Sequence, residues 1–479
     1  MATLTKVETG VFDPGRFEEV LSAEAWAAFS EALARAEATF EGRTIWNVNS
    51  TGKGGGVAEM LYSLLAYARG AGVDARWTVI EGNPDFFRTT KRIHNHLHGS
   101  PGDGGILGPE ERVTYLAALE SNADALARVV RPKDIVILHD PQTAGLVAPM
   151  KELADVILWR CHVGLDVPND IALNAWDFLH EHVERADAHV FSRKEFVWLG
   201  LNPEKTVIIP PSIDAFSPKN QELTRPSVDG ILTAAGLVGG GDPGLATFVR
   251  AGGQPGLVRR AAELVDGGSA LAADARVVTQ VSRWDRLKDP LGVMLGFASH
   301  IAPHTDAHLV LAGPAVEAVS DDPEGAEVLE EVRGEYARLP AAVRDRIHLA
   351  ALPMEDSEEN AAIVNALQRR SDIVVQKSIA EGFGLTVAEG MWKARPVVAS
   401  RIGGIQDQIV DGLSGVLVTD PRDLAEYGAA VTDLLGDPQR AERMGDAAQA
   451  RVRTEFLGPR HLLQYLELLS KLMHESLSR

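Results

Sequence analysis

Short apolar runs alternating with helix-like stretches constrain this chain more than any other feature. Runs at 44–49, 75–80, 135–138 and 156–159 read as strands, and 57–69 reads as a helix placed between two of them. A second set lies at 277–281, 307–312, 347–349, 373–376, 396–399 and 416–418. Alternation of this kind predicts parallel sheets covered by helices on both faces. Ligands of such sheets bind beyond the carboxyl ends of the strands. The polar residues at those ends are His139, Asp140, Arg160 and His162. Between the two sets, 207–209 runs into Pro210-Pro211, which cannot continue a helix and reads as an exit from a first domain. At 479 residues the chain exceeds what one core holds, so two doubly wound domains are expected.

Two helices flank this pattern. Residues 23–40 place Trp26, Phe29, Leu33, Ala36 and Phe40 at helical spacing, which reads as packing. The final helix carries Leu462, Tyr465, Leu466, Leu469 and Met473 on one stripe and needs a surface to cover. Residues 215–273 are rich in Gly, Ala and Pro and are expected as an extended or partly helical excursion.

Charge and cysteine narrow the function classes. A net charge of -20 argues against nucleic acid as the partner, and an anionic substrate must then be met by locally placed basic groups. Cys161 is the single cysteine, which excludes an intramolecular disulfide and a cysteine-based metal cage. No apolar run approaches the ~20 residues that span a bilayer, and the first residues lack the apolar core of a signal peptide. A cytoplasmic protein with no membrane partner is expected.

The chemistry is read most directly from 378–389. A strand at 373–376 leads into Glu381, Gly382, Phe383 and Gly384, and Leu385 opens a helix. A strand, a glycine turn and a helix start aim backbone N–H groups at one point, which suits an anion. Glu381 and Glu389, eight residues apart, are acceptors for sugar hydroxyls rather than for phosphate. A sugar at one and a ribose at the other would leave a diphosphate between them. The plainer alternative makes Glu381 a loop residue and Glu389 a solvated helix residue. Arg283 and Lys288, five residues apart after a strand, are either surface cations or diphosphate ligands. Gly54, Gly55 and Gly56 precede a helix and could bring backbone close to a diphosphate or an acceptor. They are not a P-loop, since Val57-Ala58-Glu59 follows them in place of Lys-Ser/Thr. No carboxylate cluster has metal-ligand spacing, and Asp285 reads as an ion partner. His96 and His98 near His94 raise a competing metal site that lacks evident partners.

The pair Glu381…Glu389 around Gly-Phe-Gly resembles the two-glutamate motif of retaining family 4 glycosyltransferases. From about residue 48 to about 468 the chain resembles the trehalose glycosyltransferring synthases. The resemblance rests on Gly54-Gly55-Gly56-Val57-Ala58-Glu59, Thr90-Lys91-Arg92-Ile93-His94-Asn95, His139-Asp140-Pro141-Gln142, Trp159-Arg160-Cys161-His162, Pro210-Pro211-Ser212-Ile213-Asp214, Arg283-Trp284-Asp285 and Met391-Trp392-Lys393. It implies an α/β GT-B fold, two doubly wound Rossmann-like domains facing each other across a cleft. An acceptor-binding domain at 1–212 would be completed by a helix at 459–479, with an extended connection at 213–274 and a nucleotide-sugar domain at 275–458.

The resemblance also implies roles. Glu381, Arg283, Lys288 and His162 would be catalytic, the two cations holding the leaving diphosphate and His162 the transferred sugar. The donor would meet Gly55, Gly56, Arg283, Lys288, Glu381, Gly382, Phe383, Gly384, Leu385 and Glu389. Lys91, His94, Asn95, Asp140 and Arg160 would hold the acceptor. The implied reaction moves glucose from ADP-glucose, UDP-glucose or GDP-glucose to glucose, giving α,α-trehalose reversibly. No metal and no obligate cofactor are implied, with Mg2+ left open as an accessory. A homodimer is compatible with the sequence but not read from it. Competing readings are a trehalose phosphorylase of the same fold, another family 4 retaining glycosyltransferase, a non-catalytic nucleotide-sugar sensor and a sugar-nucleotide epimerase.

Overall fold

The computed structural model describes residues 4–52, 55–265, 268–315 and 323–477. The chain forms two compact units, one running through Ser212 and resuming at Phe456, the other spanning Ile213–Glu455.

The first unit is built on a seven-stranded sheet. Its strands are β1 (Thr5–Val7), β2 (Ile45–Asn49), β3 (Ala75–Val79), β4 (Ile135–His139), β5 (Val156–Cys161), β6 (Ala188–Phe191) and β7 (Thr206–Ile208). Their order is β1-β3-β2-β4-β5-β6-β7. All neighbours are parallel except β1, which runs antiparallel to β3 at the edge. Successive residues feed opposite faces. Val136, Leu138, Ile157 and Trp159 enter one core, under helices Pro84–Leu97, Pro109–Leu126 and Asp170–Val183. Ile135, Ile137, Val156 and Leu158 enter the other, with Leu61 and Leu65 of helix Gly55–Gly70. Every residue of β4 and β5 is buried, which is why each reads as a continuous apolar run.

Local chemistry starts the helices where they start. Ser22 caps Ala23–Thr39 by accepting from the Ala25 N–H, and Asn83 caps Pro84–Leu97 by accepting from the Phe86 N–H. Pro84 occupies the first turn, where its missing N–H costs nothing. The helix at 458–477 belongs to this unit. Its Leu468, Leu469, Leu472 and Met473 share a buried cluster with Ile137, Leu158 and Val190, so the apolar stripe finds its cover on the first sheet.

The second unit repeats the plan. Its strands are β8 (Thr247–Val249), β9 (Pro255–Leu257), β10 (Glu263–Leu264), β11 (Val277–Val281), β12 (His308–Pro314), β13 (Ile347–Leu352), β14 (Ile373–Gln376), β15 (Val397–Ser400) and β16 (Val416–Val418). The main sheet has the order β10-β13-β12-β11-β14-β15-β16, and β8 and β9 form a separate pair. Again one edge strand, β10, is antiparallel and the rest are parallel.

Residues 213–274, expected as an extended or partly helical connection, carry a helix and three short strands. A helix, Arg225–Ala234, is capped by Thr224, and its Ile231 and Leu232 are buried with Ile363 and Leu367 of the second unit. Arg250 forms ion pairs with Asp356 (2.7 Å) and Glu358 (2.6 Å). β10 then completes the edge of the sheet. The abundance of Gly and Pro masked a helical stripe at Val228, Ile231, Leu232 and Ala235. Strands β1 and β6 were not anticipated from sequence; β6 has only four residues, one of them His189. The helix expected at 57–69 begins at Gly55. Among the described residues no helix is long and apolar enough to cross a membrane.

Leu469 is 2% exposed. Leu469→Ala should lower stability by about 2–5 kcal/mol, the usual cost of a buried leucine cavity. Denaturant titration of the wild type and the variant checks this; a midpoint shift below about 0.5 kcal/mol would place Leu469 outside the core.

Candidate active site

In the second unit the strand ends of β11 and β14 carry two loops that meet. After β11, Trp284 is buried and its indole N–H donates to the Pro314 carbonyl (2.9 Å), anchoring the loop against the end of β12. Asp285 accepts from the Leu287 N–H (2.7 Å) and starts a short turn, Arg286–Lys288. The Gln280 side-chain amide donates to the Lys288 carbonyl (2.9 Å). From the other loop, the Ile379 N–H donates to the Leu287 carbonyl (2.7 Å). The result is one close contact: Lys288 Nζ lies 2.5 Å from Glu381 Oε2. Both side chains are largely covered, at 17% and 13% exposure, so the pair is shielded from screening far more than a surface pair. Arg283 stands nearby in sequence but pairs with Asp285 (3.2 Å), and its side chain is 60% exposed.

The turn after Glu381 requires glycine. Gly384 has φ 80° and sits immediately before helix Leu385–Trp392. A Cβ there would also approach Glu381 Cγ to 3.1 Å. The Gly404 N–H donates to the Gly382 carbonyl (2.8 Å), and the Gln408 amide donates to the Phe383 carbonyl (2.5 Å). Phe383 is buried, whereas Gly382 and Leu385 keep partial exposure. Glu389 is not a solvated helix residue: it is 4% exposed, and Lys219 Nζ lies 3.6 Å from its Oε1. Lys393 donates to the Glu389 carbonyl (3.1 Å) and to Asn220 (3.0 Å). The two glutamates therefore have different cation partners, Lys288 for Glu381 and Lys219 for Glu389.

In the first unit a polar cluster occupies the strand ends of β2, β4 and β5. Asn47 Oδ1 lies 3.0 Å from His139 Nε2. His139 stacks on His162, with ring centroids 5.7 Å apart and planes 9° from parallel. The His162 N–H donates to Asp140 Oδ1 (2.8 Å), and the Trp159 indole donates to the Asp140 carbonyl (3.2 Å). Asp140 has φ 64°, a left-handed conformation uncommon outside glycine, held by these two bonds. Arg160 is fully buried, and none of its three guanidinium nitrogens has a hydrogen-bond partner in good geometry among the described residues. The side chain of Tyr465, from helix Gly458–Leu477, sits close enough to feel its charge. From the same helix, His461 Nδ1 lies 3.0 Å from Ser212 Oγ.

Burial sets the protonation of this cluster. It pushes His139 down to about 3, with the Arg160 charge adding to the effect. His162 and His461 are likewise held well below the ordinary histidine value, so all three rings are neutral. Burial pushes Asp140 up to about 6, against the opposing His162 N–H bond and Arg160 charge. Burial raises the Cys161 thiol, leaving it inert.

The other sequence-expected residues lie as follows. Gly55, at φ 76°, and Gly56 open their helix and are exposed, while Gly54 lies outside the described residues. Lys91 is exposed, and His94 and Asn95 are half-buried on helix Pro84–Leu97, which packs beside the Asp140–Thr143 turn. His94 and His98 make an edge contact (4.9 Å). Among the described residues no group of three or more His, Cys, Asp or Glu could hold a metal ion. The structure thus joins Lys288 to Glu381, and Asp140 to His162 and His139. Sequence reading gave no site role to Asn47, Lys219, His461 and Tyr465, although Asn47 stood in the strand read at 44–49 and Tyr465 in the apolar helix stripe.

Two doubly wound units of this topology, together with a match to glycosyl transferases group 1, place the chain among glycosyltransferases of the GT-B fold. A trehalose-phosphate synthase (UDP-forming) from Burkholderia vietnamiensis superposes with a TM-score of 0.64 at 16% identity, over 89% of this chain and 97% of that one. Residues 47–198 match the trehalose synthase N-terminal domain model, and 267–451 match glycosyl transferases group 1. A trehalose synthase from Thermococcus litoralis is 35% identical over 95% of this chain and 96% of its own length. The chain belongs to the trehalose synthase family. A trehalose phosphorylase from Pleurotus sajor-caju is 26% identical over 85% of this chain, which spans 55% of that protein.

The Asp140 shift has a testable sign. The folded protein keeps the Asp140 proton up to about pH 6, whereas the unfolded chain releases it near the ordinary value of 3.8. Above pH 6 the buried charge costs stability, on the order of 3 kcal/mol at most. Below the ordinary value both states hold the proton and the cost is gone. Asp140→Asn should therefore raise Tm at pH 7–8 and leave it nearly unchanged at about pH 3.5. An equal Tm for variant and wild type at pH 7–8 would mean that this carboxylate ionises without penalty.

Proposed function

We propose that this protein is a retaining glycosyltransferase that moves glucose from a nucleotide diphosphate glucose to free glucose, giving α,α-trehalose reversibly. Membership of the trehalose synthase family supports the sugar chemistry. The observation that carries the residue roles is the shielded Lys288–Glu381 pair at the end of β14. Departure of a nucleoside diphosphate places negative charge on phosphate oxygens, and a fixed cation stabilises that charge without a metal. Lys288 and Arg283 fill this role, Lys288 exchanging its carboxylate partner for phosphate when donor binds. Glu381 then accepts hydrogen bonds from the transferred glucose, the Leu385 helix start and Gly382–Gly384 backbone meet the donor, and Glu389 takes the ribose. Gly55 and Gly56 are further donor contacts in this reading. No obligate cofactor is required in this reading, and Mg2+ acts only as an accessory of the diphosphate.

On the acceptor side, Asp140, held by the His162 N–H and strained into one pose, accepts from a glucose hydroxyl. Neutral His162 serves the transferred sugar in this reading, and Arg160, Lys91, His94 and Asn95 serve the acceptor. A carboxylate with a pKa near 6 could also take the hydroxyl proton. A front-face displacement in which the leaving phosphate takes that proton needs no protein nucleophile, and a Glu381 already tied to Lys288 is better placed as a hydrogen-bond acceptor than as a nucleophile. ADP-, UDP- and GDP-glucose are the candidate donors.

Likeness to a trehalose phosphorylase supports a second reading, in which phosphate replaces the nucleotide during trehalose breakdown. Glucose release from trehalose with phosphate, against ADP, UDP or GDP, separates the two. In the forward direction, a donor screen with glucose as acceptor should yield a non-reducing disaccharide. Glu381→Ala or Arg283→Ala should lower turnover by about 100-fold or more, equivalent to ~3 kcal/mol of transition-state stabilisation, with circular dichroism unchanged. Near-normal turnover in either variant would remove that residue's role.

A further inference from the structure

Lys377 is the most deeply buried cation in the second unit's site, and the reaction proposed above gives it no task. Its side chain has no exposure. It stands just after β14, four residues before Glu381. A buried ammonium must be paired, and Lys377 is: its Nζ meets Asp289 Oδ2 and donates to the Pro421 carbonyl (2.5 Å).

Asp289 is the residue directly after Lys288, and its backbone is left-handed, with φ 51° and ψ 48°. A residue other than glycine adopts that conformation at a cost and keeps it only when its surroundings impose it. Here the surroundings do. Asp289 Oδ1 accepts from the Gly292 N–H (3.0 Å), and a Cβ on Gly292 would lie 2.1 Å from Oδ2, so glycine there makes room for the carboxylate. Lys377 holds the other oxygen. Gln280 binds the Lys288 carbonyl, on the same side as Asp289. On the N-terminal side, the Lys288 N–H donates to the Asp285 carbonyl (3.0 Å) and the Leu287 carbonyl accepts from the Ile379 N–H (2.7 Å). The backbone is thereby fixed on both sides of the lysine whose ammonium reaches Glu381.

We propose that the buried Lys377–Asp289 ion pair is a positioning device that locks the strained turn presenting Lys288 to the donor diphosphate. Lys377 touches no substrate and acts through Lys288. This rests on the role given to Lys288 above.

The experiment is a double-mutant cycle, read as kcat/KM for the preferred nucleotide-glucose and as nucleoside diphosphate affinity by calorimetry, using ADP, UDP and GDP as probes. Lys377→Met should lower donor kcat/KM by about tenfold or more and weaken nucleoside diphosphate binding, with the KM for glucose unchanged. In a Lys288→Ala background the same substitution should cost almost nothing further. Asp289→Asn keeps the left-handed backbone tolerance and the bond from Gly292 while removing the charge, and should give a smaller loss in the same direction. It carries the cycle if Lys377→Met does not fold. Losses that multiply with that of Lys288→Ala, or folded variants with wild-type donor kinetics, would overturn the proposal and leave the reaction intact. If Lys288→Ala itself leaves donor affinity and turnover unchanged, the role of Lys288 falls and the positioning role falls with it.

Discussion

A parallel sheet covered on both faces leaves only its strand ends for chemistry, and both units of this chain obey that constraint. The interior of each strand is committed to packing: β4 and β5 of the first unit have no exposed residue. Polar side chains appear where the strands stop. His139, Arg160 and His162 crowd one set of ends, joined by Asn47 from the middle of β2, and Lys288, Lys377 and Glu381 crowd the other. These groups are largely shielded from water, so each charge needs a partner or a shifted protonation state. Lys377 takes Asp289, Lys288 takes Glu381, and the histidines give up their protons.

The two clusters meet this demand differently. In the second unit opposite charges pair, and the loops that carry them are tied by backbone bonds as well. In the first unit a cation sits among neutral rings and a carboxylate of raised pKa. Arg160, fully buried there, has the Tyr465 side chain as its neighbour from helix Gly458–Leu477. Within a chain of net charge -20, Arg160 and Lys377 are cations buried at strand ends.

The strands were legible because burial on both faces forces unbroken apolar runs, and their ends could be marked as sites from that alone. The glycine turn at Gly384 was legible too, because no other residue suits its backbone. What escaped depends on register and on distance along the chain. Asn47 reaches His139 only once β2 is known to lie beside β4. Lys219 meets Glu389 from 170 residues away, out of a Gly- and Pro-rich segment whose composition hid a capped helix. Lys377 looked like an ordinary polar residue after a strand, and nothing in its sequence neighbourhood names Asp289 as its partner. Glu389 could be read as solvated or as functional, and burial excludes the first.

The first unit is discontinuous: the chain leaves it at Ser212 and returns at Phe456. Consequently the order of synthesis and the order of completion differ. The second unit is contiguous and can finish folding while translation proceeds. The earlier-made sheet meanwhile keeps the apolar face around Ile137, Leu158 and Val190 uncovered until Leu469, Leu472 and Met473 have emerged. For that interval the nascent chain presents an apolar surface that its own last helix later covers.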